Sequence, residues 1–323
     1  MRVAIIGAGM AGLTAARDLK RAGADVQLFD KGRGPGGRMS TRRAEVDGQT
    51  LRFDHGAQYI SPKSEAFAAE IERWVEAGAA AEWTGRLVHI DEAGHVTERE
   101  ATPAYVGTPG MNEIIRYLSS EQNVHWGKRV SRVTKHKSWS LSFEDGEIQD
   151  GYDCVVIAVP AEQVSDLLGD IGRDIARAAK GVSSDPCWTV MAAFAAPLDI
   201  AWDGAVIDKN SISWTARNSS KPGRGKVETW ILQASAEWSR QNLEDEKELI
   251  AERLMQAFSS LSSGAEAMFT SAHRWRYSQV RPEKHARFYF DKTLGLGACG
   301  DWCSGPKVED AWESGRALAE AMG

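Results

Sequence analysis

Val3-Ala4-Ile5-Ile6-Gly7-Ala8-Gly9-Met10-Ala11-Gly12 opens the chain, and Asp30 closes the unit that this stretch begins. Residues 3–6 form a short, unbroken apolar run, the pattern of a parallel strand buried on both faces. Three glycines follow in the spacing GxGxxG. A helical stretch comes next, with Leu13, Ala16 and Leu19 on one side and an end near Gly23, and then a second strand over residues 26–29. In that setting the glycines allow a tight turn, close approach of backbone to a pyrophosphate, and tight packing of helix on strand. The helix N-terminus offers free N–H groups and positive dipole to phosphates. Asp30 is placed to accept hydrogen bonds from a ribose diol. The unit reads as a dinucleotide site in which Gly7, Gly9, Met10, Ala11, Gly12 and Asp30 touch the cofactor.

Which dinucleotide it takes is decided elsewhere. Lys31-Gly32-Arg33-Gly34-Pro35-Gly36-Gly37-Arg38-Met39-Ser40-Thr41 follows at once, with no helical or strand period. Its paired glycines let a second backbone segment reach the pyrophosphate, and Arg38 can neutralise it as a planar fork of donors; Lys31, Gly37 and Met39 flank that contact. Near the other end Gly300-Asp301 follows a strand and would set a carboxylate on a ribityl hydroxyl. The start of the last helix, at Val308 and Glu309, would face the pyrimidine edge of a flavin, where its dipole favours the negative charge of the reduced ring. Contacts from both ends of the chain to one extended cofactor suit FAD better than NAD.

Between these motifs, residues 63–78 have the spacing of an amphipathic helix (Phe67, Ile71, Trp74, Val75), and residues 81–110 read as short strands and turns. A helix is predicted over 111–119, paired strands over 124–133 and 139–143, and a buried strand over 154–159. The middle holds predicted strands at 189–194 and 229–233 and a helix at 244–261. The end returns to the opening style, with a strand at 294–299 and a helix at 307–322 that Pro306 is suited to start. The fold class is α/β: a Rossmann-like FAD-binding domain, residues 1–80, 111–160 and 272–323, interrupted by an inserted α+β substrate domain, residues 81–110 and 161–271.

GAGMAG, RGPGGRMSTRR, DHGAQY (Asp54 to Tyr59) and GACGDWC with KVEDAWESG resemble the flavin amine oxidase superfamily. WTARNSSKPGR, TWILQAS and AHRWRYS are more narrowly similar to bacterial renalase-like flavoproteins. The resemblance implies a p-hydroxybenzoate-hydroxylase-like substrate domain and noncovalent FAD. It implies oxidation of 2- and 6-dihydro isomers of NAD(P) by hydride transfer to flavin N5, giving NAD(P)⁺, with reoxidation by O₂ to H₂O₂. It also carries cofactor roles to His55, Gly56, Ala57, Gln58 and Val130. The runner-up is an amine oxidase with the same FAD apparatus acting on a small amine. Cys303 lies close enough to the cofactor motif for a flavin thioether to be weighed, but its place after the ribityl contact argues against one.

For the substrate, His273, Trp275 and Trp214 are the candidates for positioning at the flavin face, and a structural role is as reasonable for each. Tyr59 joins them. Arg217, Asn218 and Lys221, with Ser219, Ser220 and Arg224, surround Pro222-Gly223 and could hold a dinucleotide phosphate. The same residues could equally be a solvated loop. Hydride transfer from a dihydropyridine needs no proton acceptor, and the sequence shows no Ser-His-Asp spacing, no carboxylate pair in a signalled site and no metal cluster among its 7 histidines.

Composition bounds these readings. A chain of 323 residues suggests two domains. A net charge of −6 argues against a nucleic-acid partner, and no apolar run approaches a membrane span. Four scattered cysteines are no disulfide scaffold and fit a reducing cytoplasm. The expected partners are a dinucleotide substrate and O₂, with the oligomeric state open. The aromatic balance is unusual: 12 Trp exceed 9 Phe and 6 Tyr, and residues 188–275 hold half of the tryptophans.

Overall fold

The computed structural model describes residues 1–281 and 286–323. The chain divides by compactness into a first unit, Met1–Gly37, Ile115–Ser184 and Gln279–Gly323, and a second, Arg38–Ile114 and Asp185–Ser278.

The first unit is built on a six-stranded sheet in the order Tyr289–Asp291, Leu296–Ala298, Cys154–Ile157, Arg2–Ile6, Asp25–Asp30, Asn123–Trp126, parallel except at its first edge. The opening run and its counterpart near residue 155 are buried throughout, as strands covered on both faces must be. Helix Met10–Arg21 packs on helix Val308–Met322 closely enough that a Cβ on Gly315 would stand 2.3 Å from the Ala11 carbonyl oxygen. The first and last segments of the chain thus share one α/β sheet, as expected.

Two local readings are corrected. Residues 124–133 are not one strand: the chain turns at Gly127, φ +72°, which only glycine adopts readily. Asn123–Trp126 joins the parallel sheet, and Val130–Lys135 alone pairs with Trp139–Phe143, followed by Ile148–Tyr152. Residues 161–180, grouped by sequence with the inserted part, form helices Ala161–Leu168 and Arg173–Lys180. Val164, Leu168, Ile175 and Ala179 are buried with Val133 and Leu141 in the first unit's core.

The second unit centres on a seven-stranded sheet in the order Phe269–Arg281, Ser183–Phe194, Glu228–Ala234, Ile212–Arg217, Gly204–Ile207, Leu87–Ile90, Val96–Glu98. Alternation along each strand gives it two unlike faces. Val190, Ala192, Trp230 and Leu232 pack with Ile250, Leu254 and Phe258 of helix Lys247–Ser259, and each buried Val, Leu, Ile or Phe side chain stabilises by about 1.5–3 kcal/mol. Met191, Ala193 and Ile231 point the other way and meet Val46, Leu51 and Phe53. The last three belong to a hairpin, Thr41–Val46 with Gln49–Asp54, which is why residues after Gly37 group with the second unit. That hairpin covers only part of its face. Beyond it lie Gln233 and Trp214, a cross-strand pair, beside residues 54–59.

Candidate functional site

In the first unit the strand–turn–helix forms as expected. Gly7 (φ +107°) turns the chain, and a Cβ there would lie 2.3 Å from Ala158 O. A Cβ on Gly12 would lie 2.0 Å from Gly7 O, whereas one on Gly9 would meet nothing within 4 Å. The turn is therefore closed at Gly7 and Gly12 by protein and open at Gly9. Helix Met10–Arg21 begins after Gly9 with no side-chain cap, so its first N–H groups are left for a ligand. Asp30 accepts from the backbone N–H groups of Ala8 (2.8 Å) and Gly32 (2.7 Å), one on each carboxylate oxygen. The acid thus shapes the loop, and each oxygen keeps a second lone pair that could take a ribose hydroxyl.

The other first-unit candidates divide by which atoms they can offer. Met10, Ala11 and Val130 are buried. Lys31 donates to Gln163 (3.1 Å). Gly300 donates its N–H to Ser314 (2.9 Å), and Asp301 and Glu309 are buried at the starts of the last two helices. Cys299 and Cys303 are buried free thiols, the first pushed up to about 12 and the second further, in both cases mainly by burial. A thiol so far from ionising is no nucleophile toward a flavin.

In the second unit, residues 54–59 gather most of the remaining candidates. Ala57 donates its N–H to Arg38 O (2.8 Å), and a Cβ on Gly56 would lie 2.0 Å from that same oxygen. This clip brings Arg38 and buried Met39 to Gly56, Ala57 and Gln58. Gln58 holds the loop's shape by donating to Gly56 O (3.0 Å) and to Asp54 O, and Gln233 donates to Gly56 O (2.8 Å).

His55 stacks on Trp275 (5.1 Å between centroids, 28°), and His273 stands edge-on to both at 4.7 and 4.5 Å. The Trp275 indole N–H fastens the group to His55 O (2.8 Å), and Ser40 lies 3.3 Å from His55 Nε2. Burial drives both imidazoles down, His55 to about 3 and His273 to about 4. His273 adds to the effect on His55, and Arg42 and Lys247 add to that on His273. Both rings are neutral at pH 7. At the other end of the loop, Tyr59 packs against Trp214 (5.7 Å) and Trp83 (6.2 Å). The structure therefore brings His273, Trp275 and His55 into one group and Tyr59 and Trp214 into another.

Arg217, Asn218 and Lys221 are not brought into an open phosphate site. Arg217 lies one strand face away from Trp214: it donates to Glu228 (3.1 Å), Asp203 (3.4 Å) and the carbonyls of Leu198 and Ile200, with its guanidinium over the Trp230 ring. Asn218 is buried between Arg52 O and the Asp54 N–H. Lys221 is buried as well, donating to Gln58 (3.1 Å) with Asp54 at 3.5 Å, and burial lowers it to about 8. Asp54 also takes Arg224, the Thr41 hydroxyl (2.8 Å) and the Met111 N–H (3.0 Å), and these cations hold its carboxyl below the usual range despite burial. The pairing of Asp54 with this loop escaped the sequence reading because Asp54 and Arg224 lie 170 positions apart. Among the described residues no group of His, Cys, Asp and Glu could hold a metal, and no helix is long and apolar enough to cross a membrane.

The profile of the NAD(P)-binding Rossmann-like domain matches residues 5–72, and that of flavin-containing amine oxidoreductases matches residues 91–323. The chain belongs to the flavin-containing amine oxidoreductase family. Curated relatives match it over short stretches. A zeta-carotene-forming phytoene desaturase of Myxococcus xanthus is 51% identical over 49 residues, 15% of this chain and 9% of that protein. The (S)-6-hydroxynicotine oxidase of Paenarthrobacter nicotinovorans is 40% identical over 112 residues, 32% of this chain and 26% of that protein. The matches thus span about a quarter or less of those relatives' lengths.

Among solved structures, an Exiguobacterium sp. 255-15 protein provisionally assigned as a protoporphyrinogen oxidase superposes with a TM-score of 0.79 at 14% identity, covering 99% of this chain and 98% of its own. Putrescine oxidase with bound putrescine gives 0.76 at 14% identity, covering 99% of each chain. These likenesses establish the α/β fold with its Rossmann-like domain. Family membership implies a flavin, and the open turn at Gly9, the uncapped helix start and the free lone pairs of Asp30 fit a dinucleotide form of it.

Proposed function

We propose that this family member is an FAD-dependent, renalase-like oxidase of isomeric dihydronicotinamides, converting 2- and 6-dihydro-NAD(P) to NAD(P)⁺, with O₂ as acceptor and H₂O₂ as product. FAD, bound without a covalent link, would supply the hydride acceptor and pass the electrons to O₂. In the first unit Gly7, Gly9 and the start of the following helix would take phosphate, Asp30 a ribose, and Asp301 and Val308 the remaining polar contacts. In the second unit Arg38, Gly56, Ala57 and Gln58 are assigned to the cofactor, and His55, His273, Trp275, Tyr59 and Trp214 to the substrate.

The observation that carries this reading is the charge of the His55–His273–Trp275 group. Its imidazoles stay neutral, the cations of Arg42 and Lys247 act on them, and the anion that acts on His55, the loop's own Asp54, is neutralised by Lys221 and Arg224. The cationic setting suits an uncharged dihydropyridine borne by an anionic dinucleotide and opposes the attraction that ring faces alone would hold for an ammonium ion. The residues need only orient the ring and exclude water, because hydride loss aromatises it and no proton has to leave. The 112-residue match to (S)-6-hydroxynicotine oxidase supports a second reading, oxidation of a small amine. Aerobic turnover with each isomer and with an amine panel, scored by NAD⁺ and H₂O₂, separates the two. Equimolar NAD⁺ and H₂O₂ from the isomers supports the proposal, and peroxide from amines alone overturns it.

A further inference from the structure

We infer that Arg99, with Tyr59 and Trp214, forms an anion subsite that takes a phosphate of the substrate and so sets a preference for dinucleotide over nucleoside. Arg99 follows the edge strand Val96–Glu98, and its backbone N–H is tied to Leu87 O at 3.1 Å. Its half-buried guanidinium donates to the Tyr59 hydroxyl (3.0 Å) and lies 6.0 Å from the centre of the Trp214 ring. The indole N–H of Trp214 is buried with no hydrogen-bond partner among the described residues, a costly state for a donor unless a ligand completes it.

Three other arginines of the second unit are neutralised by carboxylates. Arg86 is paired with Glu98, Arg217 with Glu228 and Asp203, and Arg224 with Asp54. Among the described residues Arg99 has no carboxylate partner, and there a single one of its five side-chain N–H donors is used. A guanidinium braced by a phenol and laid toward an indole face presents its remaining fork to an incoming oxyanion, the geometry that favours phosphate over a point-charge ligand.

The subsite is tied to the His–Trp group through one loop. Tyr59 is four residues from His55, at most about 14 Å along an extended chain. Gln233, across the sheet from Trp214, donates to Gly56 O, while Gly56 lies against Trp275. That span suits one nucleotide with its ring at the histidines and its phosphate at Arg99. The assignment of the ring rests on the proposed function; the anion subsite does not.

The test compares FAD-loaded wild type with R99Q and R99K, all three checked for matching thermal transitions. Two readouts are taken: the ratio of kcat/KM for a dihydro-NAD isomer to that for the corresponding dihydronicotinamide riboside, and quenching of tryptophan fluorescence by inorganic pyrophosphate. The inference predicts that R99Q lowers both the ratio and the pyrophosphate affinity about 10–100-fold, the size of a lost charge-assisted contact, and that R99K restores part of each. An unchanged ratio with active isomers, or unchanged pyrophosphate binding, overturns the subsite and leaves the proposed function standing. If no isomer is oxidised by any of the three, yet R99Q loses pyrophosphate binding, the proposed function fails and the subsite stands.

Discussion

His55 and His273 are both held neutral at pH 7, and that neutrality has a thermodynamic signature. Their folded values, about 3 and about 4, lie below the ordinary 6.5. Between pH 6.5 and 4 the unfolded chain therefore binds protons that the folded chain refuses, and stability falls as pH falls through that window. For His55 the slope is at most about 1.4 kcal/mol per pH unit; His273, more exposed, contributes less. Urea unfolding at pH 7 and pH 5 should show the loss, and H55Q should reduce it; an equal loss in H55Q would contradict the assignment.

The buried cations make a second residue-scale prediction. Replacing Arg224 by Met leaves Asp54 with Lys221 alone and should cost about 3–5 kcal/mol. The double variant R224M/D54N should cost less than the sum of the single changes, and strict additivity in denaturant titrations would argue that the pair is not coupled.

At the scale of elements, alternation explains both a success and a failure. The opening strand, turn and helix were legible because every determinant lies within thirty consecutive residues and each glycine has a local reason. The loop around Pro222 misled because its charges and donors suggested an open site for a phosphate or for solvent. Yet Arg217 ends a strand whose Trp214 faces residues 54–59, and three positions along a period of two must point the other way. R217A should therefore destabilise by about 2–4 kcal/mol through the unpaired Glu228 and Asp203 while leaving the substrate ratio unchanged. A changed ratio in a stably folded R217A would restore its substrate role.

The hairpin at residues 41–54 had a usable signal that went unread. Asp47-Gly48, with φ +48° and +74°, is the two-residue turn that hairpins favour, and its strands were obscured by their exposed charges. Close packing of elements makes a further prediction. G12A sets a methyl against Gly7 O and should cost about 1–3 kcal/mol together with retained flavin, read from the absorbance of purified protein.

For the whole molecule, the sharing of one sheet by the first and last segments was legible from their buried runs, whereas the strand order and the clusters of the second unit were not. Asp54 with Arg224, His55 with His273 and Arg99 with Tyr59 are meetings of residues remote in sequence, and each partner alone has an unremarkable reading. What remains legible at this scale is charge: neutral rings set among cations in a chain of net charge −6. The most direct test is anaerobic stopped-flow mixing of the flavin-loaded protein with 2-dihydro-NAD, 6-dihydro-NAD, ordinary NADH and small amines, following flavin absorbance. Rapid bleaching by one or both isomers, with NAD⁺ formed and with NADH and the amines slow, is the result predicted here. Rapid bleaching by an amine with both isomers inert would contradict it.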